Sequence, residues 1–169
     1  MNLDAATVRD LQLNDVALSE RCTVQRMARG GPGGQHTNKT ASGIRLIHRA
    51  TGLISEASEH RDGLANRGAA LQRLRLLLAC SMRGGSDQRW LAPHVRRGRL
   101  ACGPTAASWP GVVACLLDLL VLHAGRLTDA SKAAGLSTTQ YSKALAADPE
   151  VRRVTDAIRR AHGLSRLRS

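Results

Sequence analysis

The chain has 169 residues, which is enough for one ordinary domain or two small ones. Hydrophobic residues make up 43% of it but aromatic residues only 2%, which argues against stacking on single-stranded bases as the main binding mode. The net charge of +12 is concentrated in residues 21–100, which hold fifteen basic and four acidic residues (+11). This segment predicts a polyanionic partner, because neutralising phosphates releases condensed counterions.

The sequence predicts a cytoplasmic protein. The first twenty residues lack an apolar stretch, and the longest apolar run, Val112 to Leu122, is too short to cross a bilayer. We therefore expect neither a signal peptide nor a membrane span. The four cysteines form no C-x-x-C pair, so they predict reduced, mostly buried thiols rather than a metal site or a disulfide framework. No cofactor is expected.

The N-terminal half is predicted to be a small α+β domain. Asn14 is placed to cap a helix through about Ser19, and residues 22–27 favour a strand. Residues 44–48 and 53–57 favour two more strands, joined by a four-residue turn that contains Gly52. From Asp62 to about Met82 the period becomes helical, with its apolar stripe on Leu64, Leu71, Leu74 and Leu78. Three to four strands packed on one long helix are expected.

The remaining chain is predicted to be a linker followed by helices. Residues 83–107 hold four Gly and two Pro, and no long regular element is expected there. Four helices are predicted after it, opened by Ser108, Thr128, Ser137 and Asp148. The predicted domains are 1–82, the basic linker 83–107, and an all-helical region 108–169. The last is either helix-turn-helix-like or a helical bundle without nucleic-acid contact, and both remain open.

The most unusual stretch is Gly30 to Gln35, which holds four glycines and one proline. Such a stretch cannot contribute to a core, but it allows positive φ and close approach of the backbone to a ligand. A phosphate-binding P-loop is rejected because Asn38 replaces its second glycine and the following segment favours a strand. The sequence has no G-x-S-x-G or H-E-x-x-H pattern. What remains is a loop that acts through backbone and amide groups.

The motifs around this loop resemble the catalytic GGQ domain of peptide-chain release factors. The similarity rests on Gly31-Pro32-Gly33-Gly34-Gln35-His36-Thr37-Asn38-Lys39-Thr40, then Ile44-Arg45-Leu46, Thr51-Gly52-Leu53-Ile54, Glu59-x-Arg61 and Asn66-Arg67. Their order and spacing agree over about residues 22–80. The end of the chain, Ala161-His162-Gly163-Leu164, also resembles short bacterial release-factor-like proteins with an appended helical region.

The resemblance implies hydrolysis of the peptidyl-tRNA ester in the ribosomal peptidyl-transferase centre. Gly33, Gly34 and Gln35 are then the catalytic residues, with the Gln35 N–H facing the leaving 3′-hydroxyl and the oxyanion. The expected partners are large-subunit rRNA, the P-site peptidyl-tRNA and, for Gln35, a methyltransferase; a monomer is expected. The predicted RNA-binding residues are Arg29, His36, Lys39, Arg45, Arg61, Arg67 and Arg73.

Some features depart from the family pattern. Arg29 is shifted by one position, and Asp62-Gly63 replaces a frequent Ser-Gln. No segment corresponds to a stop-codon-reading domain or to a lysine-rich tail, so codon-independent release in ribosome rescue is the preferred hypothesis. One alternative is a non-catalytic ribosome- or RNA-binding protein that keeps the loop for docking. Another is a helix-turn-helix DNA-binding protein.

Overall fold

A computed structural model describes residues 9–28, 42–81, 83–84 and 87–167. The chain forms two compact units, Arg9–Leu78 and Ala79–Ser169. The first holds helix α1 (Asp15–Glu20), strands β1 (Cys22–Met27), β2 (Gly43–His48) and β3 (Ile54–Ala57), and most of helix α2 (Gly63–Ser81). The second is predominantly helical. The predicted fold class, a small α+β domain followed by a helical region, is confirmed.

The three strands form one antiparallel sheet in the order β1-β2-β3. Alternation along β2 buries Ile44, Leu46 and His48 on one face. Helix α2 contacts this face, since the Ser55 hydroxyl of β3 donates to the Ala70 carbonyl at 2.9 Å. The helix contributes Ala70, Leu71, Leu74 and Leu78 to the core. An amphipathic helix over one sheet face is the expected way to close a small core.

Leu64 does not belong to that buried stripe, so this part of the prediction is wrong. Helix α2 begins at Gly63, and the Leu64 side chain in its first turn is 75% exposed. The position buried nearest this end is the polar Asn66, which is 0% exposed. The stripe is apolar only from Ala70 onward, because the first turns of α2 are fixed by hydrogen bonds rather than by apolar packing.

His48 ties the sheet to the chain before it. Its ring is fully buried. The ring atom Nε2 lies 3.2 Å from the Asp10 carboxylate, and Nδ1 lies 2.9 Å from the Thr51 hydroxyl. Thr51 lies in the β2–β3 turn, where Gly52 takes φ +70°. A buried imidazole with partners at both nitrogens has its polar atoms satisfied.

The second unit begins with short elements and ends with four helices. Residues predicted as a linker form two 3₁₀ turns (Gln88–Trp90 and Ala92–His94) and a hairpin of β4 (Val95–Arg96) and β5 (Arg99–Leu100). The helices are α3 (Trp109–Leu122), α4 (Leu127–Ala133), α5 (Thr138–Ala146) and α6 (Pro149–Ala161). Residues 112–117 of α3 are all buried, and the Tyr141 hydroxyl of α5 donates to its Leu116 carbonyl at 2.5 Å. Helix α3 is the centre of this core.

Three predicted helix caps are confirmed and two are wrong. Side chains of Asn14, Ser137 and Asp148 accept hydrogen bonds from the first turns of α1, α5 and α6. Thr128 is no cap, because α4 begins at Leu127 and Arg126 precedes it. Ser108 precedes α3 but has helical dihedrals, and its hydroxyl lies 3.4 Å from the Cys102 sulfur instead of capping the helix.

All four cysteines are free thiols, and Cys22, Cys80 and Cys115 are buried, as predicted. Within the described ranges, no helix combines the length and apolar character that a membrane span requires.

Candidate functional site

The predicted catalytic residues lie on a connection between two neighbouring strands. Gly33, Gly34 and Gln35, with Arg29, His36 and Lys39, fall in residues 29–41, outside the described residues. The connection leaves β1 and enters β2 at the last pair of their ladder, Met27 opposite Gly43. A Cβ on Gly43 would lie 2.9 Å from the Met27 carbonyl oxygen, so the close approach of the strands here requires glycine.

Asn66 anchors the point where this connection rejoins the sheet. Its side-chain Nδ2 donates to the Ser42 carbonyl at 2.7 Å and to the His60 carbonyl at 2.9 Å. Its Oδ1 accepts from the His60 N–H at 2.9 Å. Asn66 therefore clamps the residue before β2 to the segment that leads into α2, and its full burial protects these bonds from competing water.

The same segment positions the start of α2. The Asp62 carboxylate accepts from the N–H groups of Leu64 and Ala65 at 3.0 and 3.3 Å, so it caps the helix. Asp62 thus has a structural role at the position where this sequence departs from the family pattern. The cap holds Arg61 immediately before the helix and Arg67 in its second turn, on either side of the Asn66 clamp.

A basic cleft of about 420 Å³ lies beside the anchored ends of the connection. Three arginines line it, Arg26 of β1 together with Arg61 and Arg67, and its other lining residues include Ser42 and Asp62. Arg67 Nε donates to the Ser19 hydroxyl at 3.1 Å, a neutral partner. The side chains of Arg26 and Arg61 are exposed and make no hydrogen bond or ion pair within the described part of the chain. The described lining residues include three arginines and one carboxylate, so this part of the cleft carries excess positive charge.

Arg45 and Arg73 lie outside this cleft and are paired with acids. Arg45 forms a cross-strand ion pair with Glu56 at 2.5 Å, and Arg73 pairs with Glu59 at 2.6 Å. The pKa of Glu59 is lowered, first because its own backbone N–H donates to the carboxylate, with further contributions from the Ser58 N–H and Arg73. Because each of these two arginines lies against a carboxylate, they present less net charge to a polyanion than the cleft arginines do.

The structure thus divides the predicted RNA-binding residues. It brings Arg61 and Arg67 together and places Arg45 and Arg73 elsewhere. Sequence reasoning missed Arg26, and it named Asn66 only as part of the family motif, without a structural role. The signal for Arg26 was its break in the apolar alternation of β1, and the signal for Asn66 was a polar residue four positions before Ala70 on the stripe that covers the sheet.

Other catalytic arrangements find no support among the described residues. Thr51, His48 and Asp10 have the residue types of a nucleophile–base–acid relay, but the His48 ring is fully buried and out of reach of a substrate. Burial raises the pKa of the Cys22 thiol, which keeps it protonated and a poor nucleophile. No group of three His, Cys, Asp or Glu side chains in the described ranges is arranged to hold a metal ion.

Comparison with known proteins adds to this geometry. Residues 14–92 match the model of the RF-1 domain. Peptide chain release factor 1 of Xylella fastidiosa is 36% identical over 80 residues, which cover 47% of this chain and 21% of that protein. The mitochondrial peptide chain release factor 1-like protein of Rattus norvegicus is 48% identical over 48 residues (28% of this chain, 13% of that protein). Peptide chain release factor 2 of Treponema pallidum is 42% identical over 60 residues (36% and 16%).

The matches span about a fifth or less of the length of these relatives. The RF-1 domain match lies in residues 14–92, the N-terminal half of the chain. That half contains the sheet, the Asn66 clamp and the arginine cleft. Residues 14–92 therefore match an RF-1 domain, and over this part the chain is similar to peptide chain release factors.

Proposed function

We propose that this chain is a codon-independent release factor that hydrolyses peptidyl-tRNA on the ribosome. Gly33, Gly34 and Gln35 are the catalytic residues of this proposal. The observation that carries it is how the glycine-rich connection is anchored. Paired strands β1 and β2 hold its two ends, Asn66 binds the residue before β2, and the arginine cleft lies beside them. This arrangement suits a domain that inserts a loop into RNA.

Chain length supports the assignment of Gln35. Residues 29–41 number thirteen, and Gln35 is the seventh, so it is equally far along the chain from Ala28 and from Ser42. Seven residues span at most about 24 Å when fully extended. Gln35 is therefore the residue that the connection can carry farthest from the sheet. A catalytic group at this position can enter a narrow cavity while the sheet and α2 remain outside it.

The chemistry needs no ionisable side chain from the loop. Ester hydrolysis develops negative charge on the carbonyl oxygen and on the leaving 3′-hydroxyl, and a backbone N–H at Gln35 can donate to either. A donor aimed at developing charge contributes roughly 3–4 kcal/mol to transition-state stabilisation. The Gln35 amide side chain orients the attacking water. Gly33 and Gly34 permit the close backbone approach, because they carry no Cβ.

The cleft arginines hold the domain on rRNA in this proposal. Arg26, Arg61 and Arg67 have no acidic ion-pair partner among the described residues, so contact with phosphate does not require an existing ion pair to break. Arg45 and Arg73 must exchange Glu56 and Glu59 for phosphates and gain less. The proposal includes the cytoplasm as the site of action, a monomeric protein, and methylation of Gln35 by a dedicated enzyme.

The test is release of labelled peptide from ribosomes that carry P-site peptidyl-tRNA. Three states are compared: an mRNA that ends at the P site, one with a stop codon in the A site, and one with a sense codon there. Wild type and Gln35→Ala are assayed in each, with sedimentation measuring ribosome affinity. We expect release from the first state, loss of release in Gln35→Ala by about a hundredfold or more, and unchanged affinity.

Two results would contradict the proposal. Release confined to the stop codon would exclude codon independence. Ribosome binding without release in any state, by wild type and Gln35→Ala alike, would support the non-catalytic binding protein instead.

A further inference from the structure

The C-terminal unit carries a second basic surface, far in sequence from the catalytic loop. Its first part is the hairpin of β4 and β5, whose four central residues are Arg96, Arg97, Gly98 and Arg99. All three arginines are exposed, and none of their side chains makes a hydrogen bond or ion pair within the described part of the chain. Three unpaired cations on four residues repel one another, so this hairpin is an unusual site of concentrated positive charge.

The hairpin turn places one of these arginines in a disfavoured conformation. Arg97 takes φ +48° and Gly98 φ +75°, as a two-residue hairpin loop with positive φ at both positions requires. Asn or Gly adopts this geometry more readily than Arg. Retention of an arginine at a strained backbone position points to a use for its charge.

The hairpin is fixed to the start of helix α5. The Gly98 carbonyl accepts from the Ser137 N–H at 2.9 Å, and Gly98 pairs with Leu136 in an isolated bridge. Ser137 is the N-cap of α5, so the arginine hairpin and the first turn of α5 form one continuous structure. Ser137 therefore bonds in both directions: its side chain accepts from the Gln140 N–H at 3.3 Å, and its own N–H donates to Gly98.

Helices α4 and α5 have the connectivity of a helix-turn-helix. Four residues join them, among them Gly135 with φ +67°, and Tyr141 secures α5 against α3. The outward side of α5 lines a groove of about 760 Å³. Its lining includes Thr138, Thr139, Ser142, Lys143 and Arg166, and none of the described residues that line it carries a carboxylate.

We propose that the hairpin arginines Arg96, Arg97 and Arg99, together with Thr138, Thr139 and Lys143 of α5, form a surface that binds the backbone of duplex RNA. Hydroxyls and cations match phosphate oxygens and 2′-hydroxyls. The α5 residues that line the groove include no Asn or Gln, the side chains that recognise adenine edges through pairs of hydrogen bonds. We assign its hydroxyls and cations to phosphate and sugar contacts, so the proposed recognition is of a backbone rather than a base sequence.

A duplex fits this surface better than a single strand. Single-strand sites combine a basic groove with exposed aromatic side chains on which bases stack. The aromatic residues of this unit are Trp90, Trp109 and Tyr141; Trp109 and Tyr141 are buried in the core, and Trp90 packs against Gly111. The choice of RNA over DNA rests on the proposed function, since a ribosome-bound protein meets double-helical RNA.

The experiment measures fluorescence anisotropy of a labelled RNA hairpin of about twenty base pairs at several salt concentrations. The full chain is compared with the double variant Arg96→Gln/Arg99→Gln, which leaves the strained turn residue Arg97 in place. The matched control is Arg153→Gln/Arg160→Gln, which removes the same charge from exposed positions of α6. Thermal unfolding checks that all variants are folded.

We expect the hairpin variant to bind roughly tenfold or more weakly near 0.1 M salt, and the slope of log affinity against log salt to fall by about two. The control should bind within about twofold of wild type. An equal loss in the control, tighter binding of a DNA duplex of the same sequence, or no RNA binding by wild type would each overturn the inference.

The outcome is distinguishable from failure of the proposed function. Gln35→Ala leaves this surface intact, so it should bind the RNA hairpin like wild type while losing peptide release. If RNA binding depends on the hairpin arginines but wild type releases no peptide, the RNA-binding surface stands and the proposed catalysis falls.

Discussion

Substitution of Asn66 by Ala tests how the structure anchors the connection that carries the proposed catalytic residues. The change removes three hydrogen bonds, to the Ser42 carbonyl and to both backbone groups of His60. His60 is exposed, so water replaces most of what its groups lose, whereas Ser42 is 8% exposed and its carbonyl loses a partner in a buried position. A buried hydrogen-bond acceptor that is left without a partner lowers stability by about 1–3 kcal/mol, and loss of the two bonds to His60 brings the total to roughly 2–4 kcal/mol.

Native-state hydrogen exchange of the β2 amides measures this loss in the unit that contains it. A change of 2–4 kcal/mol corresponds to exchange that is roughly 25- to 700-fold faster. Asn66→Asp keeps the shape but loses the donors, and it should exchange at least as fast as Asn66→Ala. The control is Gln72→Ala, at an exposed position of α2, which should stay within about twofold of wild type. Wild-type exchange rates in Asn66→Ala would refute the clamp.

Three further predictions concern other parts of the molecule. Arg61→Gln should weaken ribosome binding by about three- to tenfold in sedimentation assays. Arg45→Gln should change it less than about twofold, because Arg45 is already paired with Glu56. Equal effects would refute the distinction between cleft arginines and acid-paired arginines. Gly43→Ala should destabilise the sheet by about 1–3 kcal/mol, because the added Cβ would lie 2.9 Å from the Met27 carbonyl oxygen. The loss should appear as faster amide hydrogen exchange in β1 and β2, and unchanged exchange would contradict this prediction. Burial raises the pKa of Cys80 to about 12, above its usual value of 9.0. As the pH rises, this thiol therefore ionises in the unfolded chain before it does so in the folded chain. The free energy of unfolding should consequently fall as the pH rises from 9 toward 12. In denaturant titrations Cys80→Ala should reduce the slope of stability against pH by up to about 1.4 kcal/mol per pH unit. The buried Tyr141 phenol, whose pKa is also raised, leaves a residual slope above pH 10, so only a slope unchanged by Cys80→Ala would exclude a contribution of Cys80.

Most secondary structure of the N-terminal unit could be predicted from the sequence, because its signals are local. Asn14 caps α1, and Gly52 with positive φ closes the hairpin, as the residue types indicated. Two helix-cap predictions in the C-terminal unit failed, because the residue of capping type does not occupy the capping position or conformation. Thr128 is a good capping residue in isolation, but the chain becomes helical one residue earlier. Ser108 adopts helical dihedrals that prevent its hydroxyl from reaching the first turn of α3.

The candidate site could be predicted only in part. The glycines and Gln35 stand out because no folding role explains such a stretch, and their resemblance to the release factor family followed from spacing along the chain. The cations could not be sorted in this way, because sequence shows that an arginine is charged and not which acid it meets. Arg45 lies opposite Glu56 through strand register alone, a relation between residues eleven apart in sequence.

The sequence by itself determined the elements of the fold, the basic character of the chain and the position of the proposed catalytic tripeptide, because helix caps, periodicity and glycine content act over a few residues. Tertiary structure decided which residues support that tripeptide. Asn66 reaches Ser42 across 24 positions, and Arg26 meets Arg61 and Arg67 only when β1 and α2 come together. The hairpin arginines joined α5 in the same way, through the bond between Gly98 and Ser137. Such contacts depend on register and packing between distant segments, which no local pattern encodes.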